Sequence, residues 1–327
     1  MRERYGQAKR LASTLNLPRE QWLQLRQLGI GSSDAAAAVG LSPYKSALSL
    51  WLEKTGRKPA EDLSDKAPVF WGTMLEPVLA TVYAEQTGRK VRRVNAVLQS
   101  PQHQHMLANL DREVRCGRDG NGILEIKTAS CHSAPQWEEG IPVAYQCQVL
   151  HQLAVTGLDW ADVAVLIGGQ DFRIYRIERD DDKILDLCER EDGFWQQVTQ
   201  DQQPSPDGSD DAGRALSWMF PRDQGITLDL SESMEANSLF GTLLALRAKQ
   251  DDLSLLEAQT RQQLQNILGT ASAAVFADGK VSWKKTKDRT SPDLDKLSAD
   301  YPDLLPQYSK TVEGSRRFLI HTARSAA

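Results

Sequence analysis

Apolar positions along the chain change their spacing several times, and each change marks an element. From Asn16 to Gly29 (NLPREQWLQLRQLG), Trp22, Leu25 and Leu28 share one helical face, with Pro18 near the start and Gly29 as the stop. The turn GIGSSD follows, where Ser33 or Asp34 is placed to cap an alanine-rich helix from Ala35 to Val39. A second turn at Ser42-Pro43-Tyr44 leads to a helix over Ala47 to Gly56, and Pro59 to Pro68 is a polar loop. From Val69 to Thr87, Trp71, Leu75, Val78, Leu79, Val82 and Tyr83 recur at helical spacing. That places Glu76 on a helix beside a buried seam, which Gly88 ends.

The spacing then shortens to that of strands. Val91, Val94, Val97 and Leu98, then Met106 to Asp111, then Gly122 to Thr128 alternate, and Gly117 to Gly122 (GRDGNG) predicts a hairpin turn between the last two. Pro142 to Gly157 returns to helical spacing and is rich in glutamine (Gln146, Gln148, Gln152). Ala161 to Ile167 and Asp171 to Ile177 predict a hairpin around Gly168-Gly169. Asp181-Asp182-Lys183 reads as a solvated acidic loop before a helix over Ile184 to Gln200. The stretch DQQPSPDGSDDAG at 201–213 has the composition of a linker. Beyond it, Ser231 to Leu268 is long enough for a helical hairpin arm or a short coiled coil, and Ala273 to Ala277 with Lys280 to Lys285 predict a strand pair. The expected organisation is an α/β (α+β) domain over 1–205, a linker over 206–228 and a helical and β-hairpin extension over 229–327.

A length of 327 residues fits this division, at about 150 residues per domain. Charge narrows the function. Lys and Arg number 39 against 44 Asp and Glu, a net −5, which argues against a protein that coats nucleic acid through a generally basic surface but leaves room for a local basic channel. Cys116, Cys131, Cys147 and Cys188 form no CxxC pair, which argues against zinc, iron-sulfur and dithiol chemistry and for reduced core thiols. No apolar run approaches the ~18 residues of a membrane span. The opening MRERYGQAKRLAST lacks the apolar core of a secretory signal, so the expected location is cytoplasmic.

The candidate chemistry sits on two strands. Asp111 ends one, and Glu125-Ile126-Lys127 lies on the next. Residues two apart on a strand share a face, so Glu125 and Lys127 project together while Ile126 faces the core. Two carboxylates and an ammonium at one place suit metal-assisted phosphodiester hydrolysis: hard oxygen ligands hold Mg²⁺, and a cation beside the attacking water favours its hydroxide form. The carbonyl of Ile126 offers another oxygen ligand, and Glu76 a third carboxylate. The alternative for Glu125 and Lys127 is an exposed strand pair.

The run GIGSSDAAAAVGLSPYKSALSLWLEKTG, then WGTMLEP, LANLDRE, GILEIKT and PVAYQCQVLHQLAVTG, resembles the YqaJ-type viral recombinases, the family of phage lambda exonuclease, over about residues 20 to 200. The resemblance implies a PD-(D/E)xK restriction-endonuclease-like core, a central mixed sheet flanked by helices, and hydrolysis with two Mg²⁺ ions, Mn²⁺ substituting. Carried over, Asp111, Glu125 and Glu76 are metal-site carboxylates, Lys127 positions and activates the water, and Gln148 supports the site. Arg26 and Ser33 are similar in position to residues that hold a 5′-phosphate of the DNA; their plain alternatives are a surface arginine and a helix cap.

The implied activity is 5′-to-3′ exonuclease digestion of linear double-stranded DNA that leaves a 3′ single strand. The implied partners are DNA ends, a single-strand annealing protein and two further copies in a homotrimeric ring, in the bacterial host of a phage or prophage. The alternatives are an endonuclease on the same fold and a non-catalytic DNA-end adaptor. The family often has a second glutamine two after Gln148, where this chain has Leu150; Gln152 is expected to face solvent, and Gln146 competes for the site role. His103, His105, His132 and His151 pair with no nucleophile and are expected to be structural or DNA-proximal. The basic segment Lys280 to Arg289 (KVSWKKTKDR) suits either phosphate or a solvated strand face.

Overall fold

The strand-period segments between Lys90 and Glu178 build a five-stranded mixed sheet and contribute two strands to a smaller one, and helix-period segments pack on both faces of the larger. The computed structural model describes residues 4–116, 120–312 and 314–322, which fall into two units, Met1–Phe220 and Pro221–Ala327. The first unit opens with β1 (Arg4–Gln7), β2 (Lys9–Ser13), α1 (Arg19–Gln27), β3 (Ile30–Gly31), a 3₁₀ turn at Ser32–Asp34, α2 (Ala35–Ala38), α3 (Ala47–Lys54) and α4 (Ala67–Thr87). Strands β4 (Lys90–Arg93), β5 (Ala96–Gln99), β6 (Met106–Ala108), β7 (Arg112–Arg115) and β8 (Gly122–Ala129) follow. A 3₁₀ segment at Cys131–Trp137 leads to α5 (Val143–Thr156), β9 (Trp160–Ile167), β10 (Asp171–Glu178), α6 (Asp181–Thr199) and α7 (Asp210–Met219).

The main sheet has the order β10-β9-β8-β7-β4, with β8 parallel to β9 and its other pairs antiparallel. A parallel pair needs a crossover, which α5 supplies. The inner strand β9 is a continuous apolar run apart from Asp162, as burial on both faces demands. Alternation along β8 sends Ile123 into the core beneath α5, with Val149 and Leu153, and sends Leu124 and Ile126 to the other face, against Leu79, Ala80 and Tyr83 of α4. Gly157, at φ 67, turns the chain out of α5 in the left-handed conformation glycine tolerates. A smaller sheet, β2-β5-β6-β3, pairs β3 parallel to β6.

Several expectations change. The hairpin into β8 starts from β7, not from the Met106 strand, because Arg112 and Glu113 are buried with ion-pair partners Glu76 and Arg92 rather than lying in a turn; residues 117–119 of the expected turn lie outside those described. Asp181 to Lys183 is the first turn of α6, capped by Asp180, not a loop. The expected 206–228 linker contains α7, whose Ala212 and Ala215 are buried, Ala215 against the Leu48 and Trp51 cluster of α3. The seam of α4 is narrower than predicted: Leu79 and Tyr83 are buried, while Trp71 and Val78 are exposed. Cys147 and Cys188 are buried thiols, but Cys131 is exposed.

The second unit holds α8 (Met234–Leu268), one continuous helix with no buried residue, then β11 (Ala273–Phe276) paired with β12 (Gly279–Ser282), and α9 (Leu294–Asp300) and α10 (Leu304–Gln307). No helix among the described residues is long and apolar enough to cross a membrane.

Candidate active site

Strand β8 presents Glu125 and Lys127 on its α5 face, and α5 returns two glutamines to them. Gln148 Nε2 donates to Glu125 Oε1 at 2.6 Å, and Lys127 Nζ donates to the same oxygen at 2.7 Å and to Gln148 Oε1 at 2.9 Å. The three side chains close a ring of hydrogen bonds that fixes the amide orientation of Gln148. Tyr145 lays its ring 4.9 Å from the Lys127 ammonium. Asp111 lies just before β7, and its Oδ2 accepts from the backbone N–H of Ile126 at 2.8 Å, so the main chain between Glu125 and Lys127 sets its position. Arg112 donates to Glu76 Oε1 and, at 2.6 Å, to the carbonyl of Asp111, which ties α4 to the same corner.

Negative charge is in excess here. Burial pushes the Asp111 carboxyl well above the usual carboxylate range, and Glu125 and Glu76 add to this against Lys127 and the Ile126 N–H. Burial disfavours charge on Lys127, yet Glu125 and Asp111 more than reverse it and hold the ammonium protonated above its ordinary range. Three carboxylates with an oxygen-only donor set and an uncompensated negative charge fit a hard divalent cation, and Asp111, Glu125 and Glu76 are the residues to hold it.

Two expectations about the glutamines are resolved by helix geometry. Gln146 turns back to the carbonyl of Ile141, leaving Gln148 at the carboxylates. Gln152 does not face solvent: it is fully buried and donates from Nε2 to Glu125 Oε2 at 2.7 Å. Positions four apart share a helix face, whereas a residue two after Gln148 points elsewhere; Leu150 accordingly packs in the core. The i, i+4 spacing was the available signal for Gln152.

Arg26 and Ser33 lie side by side, Arg26 Nη2 donating to Ser33 Oγ at 3.1 Å and to Asp34 Oδ1 at 2.7 Å. The guanidinium rests over the Trp22 ring at 4.9 Å. Asp34 makes no helix-cap bond; it is a buried carboxylate gripped on its other oxygen by Lys54 at 2.9 Å. Burial pushes the Asp34 carboxyl up, but Arg26, Lys54 and Lys45 together hold it far below the usual range. Lys45 and Lys54 line the adjoining cleft of about 240 Å³ with Arg26 and Ser33, and neither lysine follows from the local sequence pattern. A second cleft of about 160 Å³ is lined by Arg26 and Ser33 and also by Asp111 and Gln148.

Residues 21–159 match the family model described as the YqaJ-like viral recombinase domain. Over 318 residues the chain is 32% identical to the uncharacterized protein YqaJ of Bacillus subtilis (strain 168), covering 96% of this chain and 97% of that protein. Among solved structures, the alkaline exonuclease LHK-Exo of Laribacter hongkongensis aligns at 23% identity and a TM-score of 0.47, covering 56% of this chain and 94% of that one. A phage-related exonuclease from Haemophilus somnus 129PT aligns at 12% identity and a TM-score of 0.40, covering 55% and 97%.

Proposed function

The chain belongs to the YqaJ-like viral recombinase family, and from that premise we propose that it is a Mg²⁺-dependent exonuclease that digests linear double-stranded DNA from its 5′ end, leaving a 3′ single strand for annealing-type recombination. One observation carries the reading: the cleft lined by the Asp111 and Gln148 side chains is also lined by Arg26 and Ser33, so a phosphate held by the latter pair puts the neighbouring phosphodiester beside the carboxylates. A nuclease that cuts internally has no use for a terminal-phosphate site there.

Within this reading each side chain has a task. Arg26 uses only Nη2 on Ser33 and Asp34, which leaves its other guanidinium donors for phosphate oxygens, and Ser33 adds a hydroxyl. Asp111, Glu125 and Glu76, with the Ile126 carbonyl, are the groups that would hold Mg²⁺, two ions on the family's pattern, with Mn²⁺ as substitute. When bound, the metal supplies Lewis acidity at the phosphoryl oxygens and acidifies water. Lys127, kept charged by Glu125 and Asp111, orients the attacking water and favours loss of its proton. Gln148 locks Lys127 to Glu125, and Gln152 holds the far oxygen of Glu125.

A homotrimeric ring around DNA completes the proposal, together with a single-strand annealing protein that takes up the 3′ strand in the cytoplasm of a bacterial host. The ring is supported by Phe70, Trp71, Met74 and Val78, which form an exposed apolar stripe on α4, the helix that also carries Glu76. The deciding experiment follows nucleotide release from linear 5′-phosphorylated duplex DNA and from covalently closed circles, with Mg²⁺ and with chelator. Digestion of the linear form alone, stopped by chelator, is expected. Cutting of the circle would replace the exonuclease by an endonuclease, and failure on both with DNA ends still bound would leave an adaptor.

A further inference from the structure

Away from the carboxylates, three potential metal-binding side chains meet at a turn that the nuclease chemistry does not use. His103 and His105 stand on the turn between β5 and β6, and Asp192 reaches them from α6. Asp192 Oδ1 is 3.0 Å from His103 Nδ1 and 3.0 Å from His105 Nε2, and the donor atoms of the three lie within 4.8 Å of one another. The first contact has hydrogen-bond geometry; the second does not, and His105 Nε2 is buried with no hydrogen-bond partner among the described residues. A simple ion pair leaves that nitrogen unexplained.

The rest of the turn is rigid. Ser100 Oγ accepts from the backbone N–H of His103 at 3.1 Å, the His103 carbonyl accepts from Met106 at 2.8 Å, and the His105 carbonyl accepts from Ile30 at 2.7 Å. Gly29 passes so close to this last carbonyl that a Cβ there would stand 2.2 Å from it. The His105 ring is stacked on Trp195 of α6, centroids 5.6 Å apart and planes within 10° of parallel. His151, also nearby, is fully committed to Glu191 and to the carbonyl of Leu107. His103 and Asp192 are each about one-third exposed, which leaves a route in for an ion.

We propose that His103, His105 and Asp192 form a site for a zinc-class divalent cation, separate from the carboxylate centre, that staples the β5–β6 turn to α6. Two imidazole nitrogens and one carboxylate oxygen are the donor set of zinc with a fourth position for water, whereas Mg²⁺ requires oxygen. Tetrahedral zinc, with bonds of about 2.0–2.1 Å, spaces its ligand atoms about 3.3 Å apart, so each 3.0 Å contact need open by only a few tenths of an ångström. Burial, against the pull of Asp192, also lowers the His105 pKa and favours the neutral, ligating imidazole. The staple bears on the nuclease through the backbone: β6 runs on to Asp111, and β3, its parallel neighbour, runs on to Ser33.

The test uses the full chain, stripped with chelator and kept in Mg²⁺, titrated with Zn²⁺ by calorimetry and with Co²⁺ by visible absorption. One equivalent of Zn²⁺ is expected, with a rise in Tm and the Co²⁺ bands of nitrogen-oxygen ligation. His103→Gln and Asp192→Asn are expected to weaken Zn²⁺ binding by more than about 100-fold, the upper range for a group that merely orients a ligand. Because His103 is partly exposed, His103→Gln should melt with the wild type in chelator, separating lost ligation from lost folding. Asp111→Asn with Glu125→Gln should keep the Zn²⁺ equivalent. Absence of a zinc equivalent in the wild type, its loss in the carboxylate double variant, or an affinity within threefold of wild type in His103→Gln would each overturn the proposal.

Discussion

Two aspartates, the half-buried Asp111 and the buried Asp34, border neighbouring parts of one cleft system and have opposite electrostatics. Asp111 shares its corner with Glu125 and Glu76, and its carboxyl is pushed up; Asp34 is clasped by Arg26 and Lys54, and its carboxyl is pushed down. Burial acts on both in the same sense, so neighbouring charge alone makes the difference. At Asp111, three carboxylates face two cations, Lys127 and Arg112. In the Asp34 cleft, the four cations Arg19, Arg26, Lys45 and Lys54 face three carboxylates, Asp34, Glu53 and Glu61. One site is short of positive charge and suits a metal ion; the other is short of negative charge and suits a phosphate. A nuclease acting at DNA ends needs both, side by side.

The strongest way to break the comparison is at Lys127. Lys127→Ala removes the ammonium proposed to act on water but none of the proposed metal carboxylates, so turnover should fall by about 10²–10⁴-fold while DNA binding is retained. Near-normal turnover would remove Lys127 from the mechanism. Arg26→Ala probes the opposite site. Loss of a charge-assisted phosphate contact is worth about 1.5–3 kcal/mol, so kcat/KM on 5′-phosphorylated ends should drop by roughly 10–100-fold. Ends bearing a 5′-hydroxyl should be much less affected, and an equal loss on both would mean that Arg26 serves folding through Asp34 rather than phosphate.

The two aspartates should also respond to pH with opposite sign. Asp111 keeps a proton in the folded, metal-free protein that the unfolded chain releases near pH 4, so its contribution to stability is complete below that pH and is lost as pH rises toward about 8. Asp34 is the reverse: its contribution is present above pH 4 and is lost only in strong acid. Binding of Mg²⁺ must displace the Asp111 proton, so apparent affinity should rise by up to about tenfold per pH unit and level off above about pH 8. Calorimetry in buffers of different ionisation enthalpy measures that proton. In Asp111→Asn, the metal-free melting temperature should no longer fall between pH 5 and 8.

The sequence made the metal corner more legible than the phosphate corner, for a physical reason. Strand alternation places Glu125 and Lys127 on one face, and helix spacing places Glu76 on α4, so local periodicity carries the first site. The second depends on Lys54 and Asp34 meeting across two helices, and nothing in either segment announces a buried ion pair. Strand β7 was hidden for the same reason, since Arg112 and Glu113 look like solvent-facing charges until Glu76 and Arg92 are brought to them. Strands β1 and β2, within a polar stretch, have too few apolar residues to alternate. The sequence resemblance singled out Gln148, which does meet Glu125 and Lys127, yet it drew attention to position 150 and away from Gln152.

Gln152 gives the finest test of the metal corner. It touches one oxygen of Glu125, while Gln148 and Lys127 hold the other, so its removal leaves the carboxylate attached but free to rotate about the remaining contacts. A net hydrogen bond of about 1–1.5 kcal/mol predicts a fall in kcat of roughly fivefold to tenfold for Gln152→Ala, with the KM for DNA unchanged. Gln148→Ala, which also frees Lys127, should cost more. If the carboxylate orientation is what matters, raising Mg²⁺ should recover part of the activity of Gln152→Ala and none of that lost in Lys127→Ala. Equal losses in the two glutamine variants, with no recovery by metal, would mean that Gln152 supports the packing of α5 rather than the aim of Glu125.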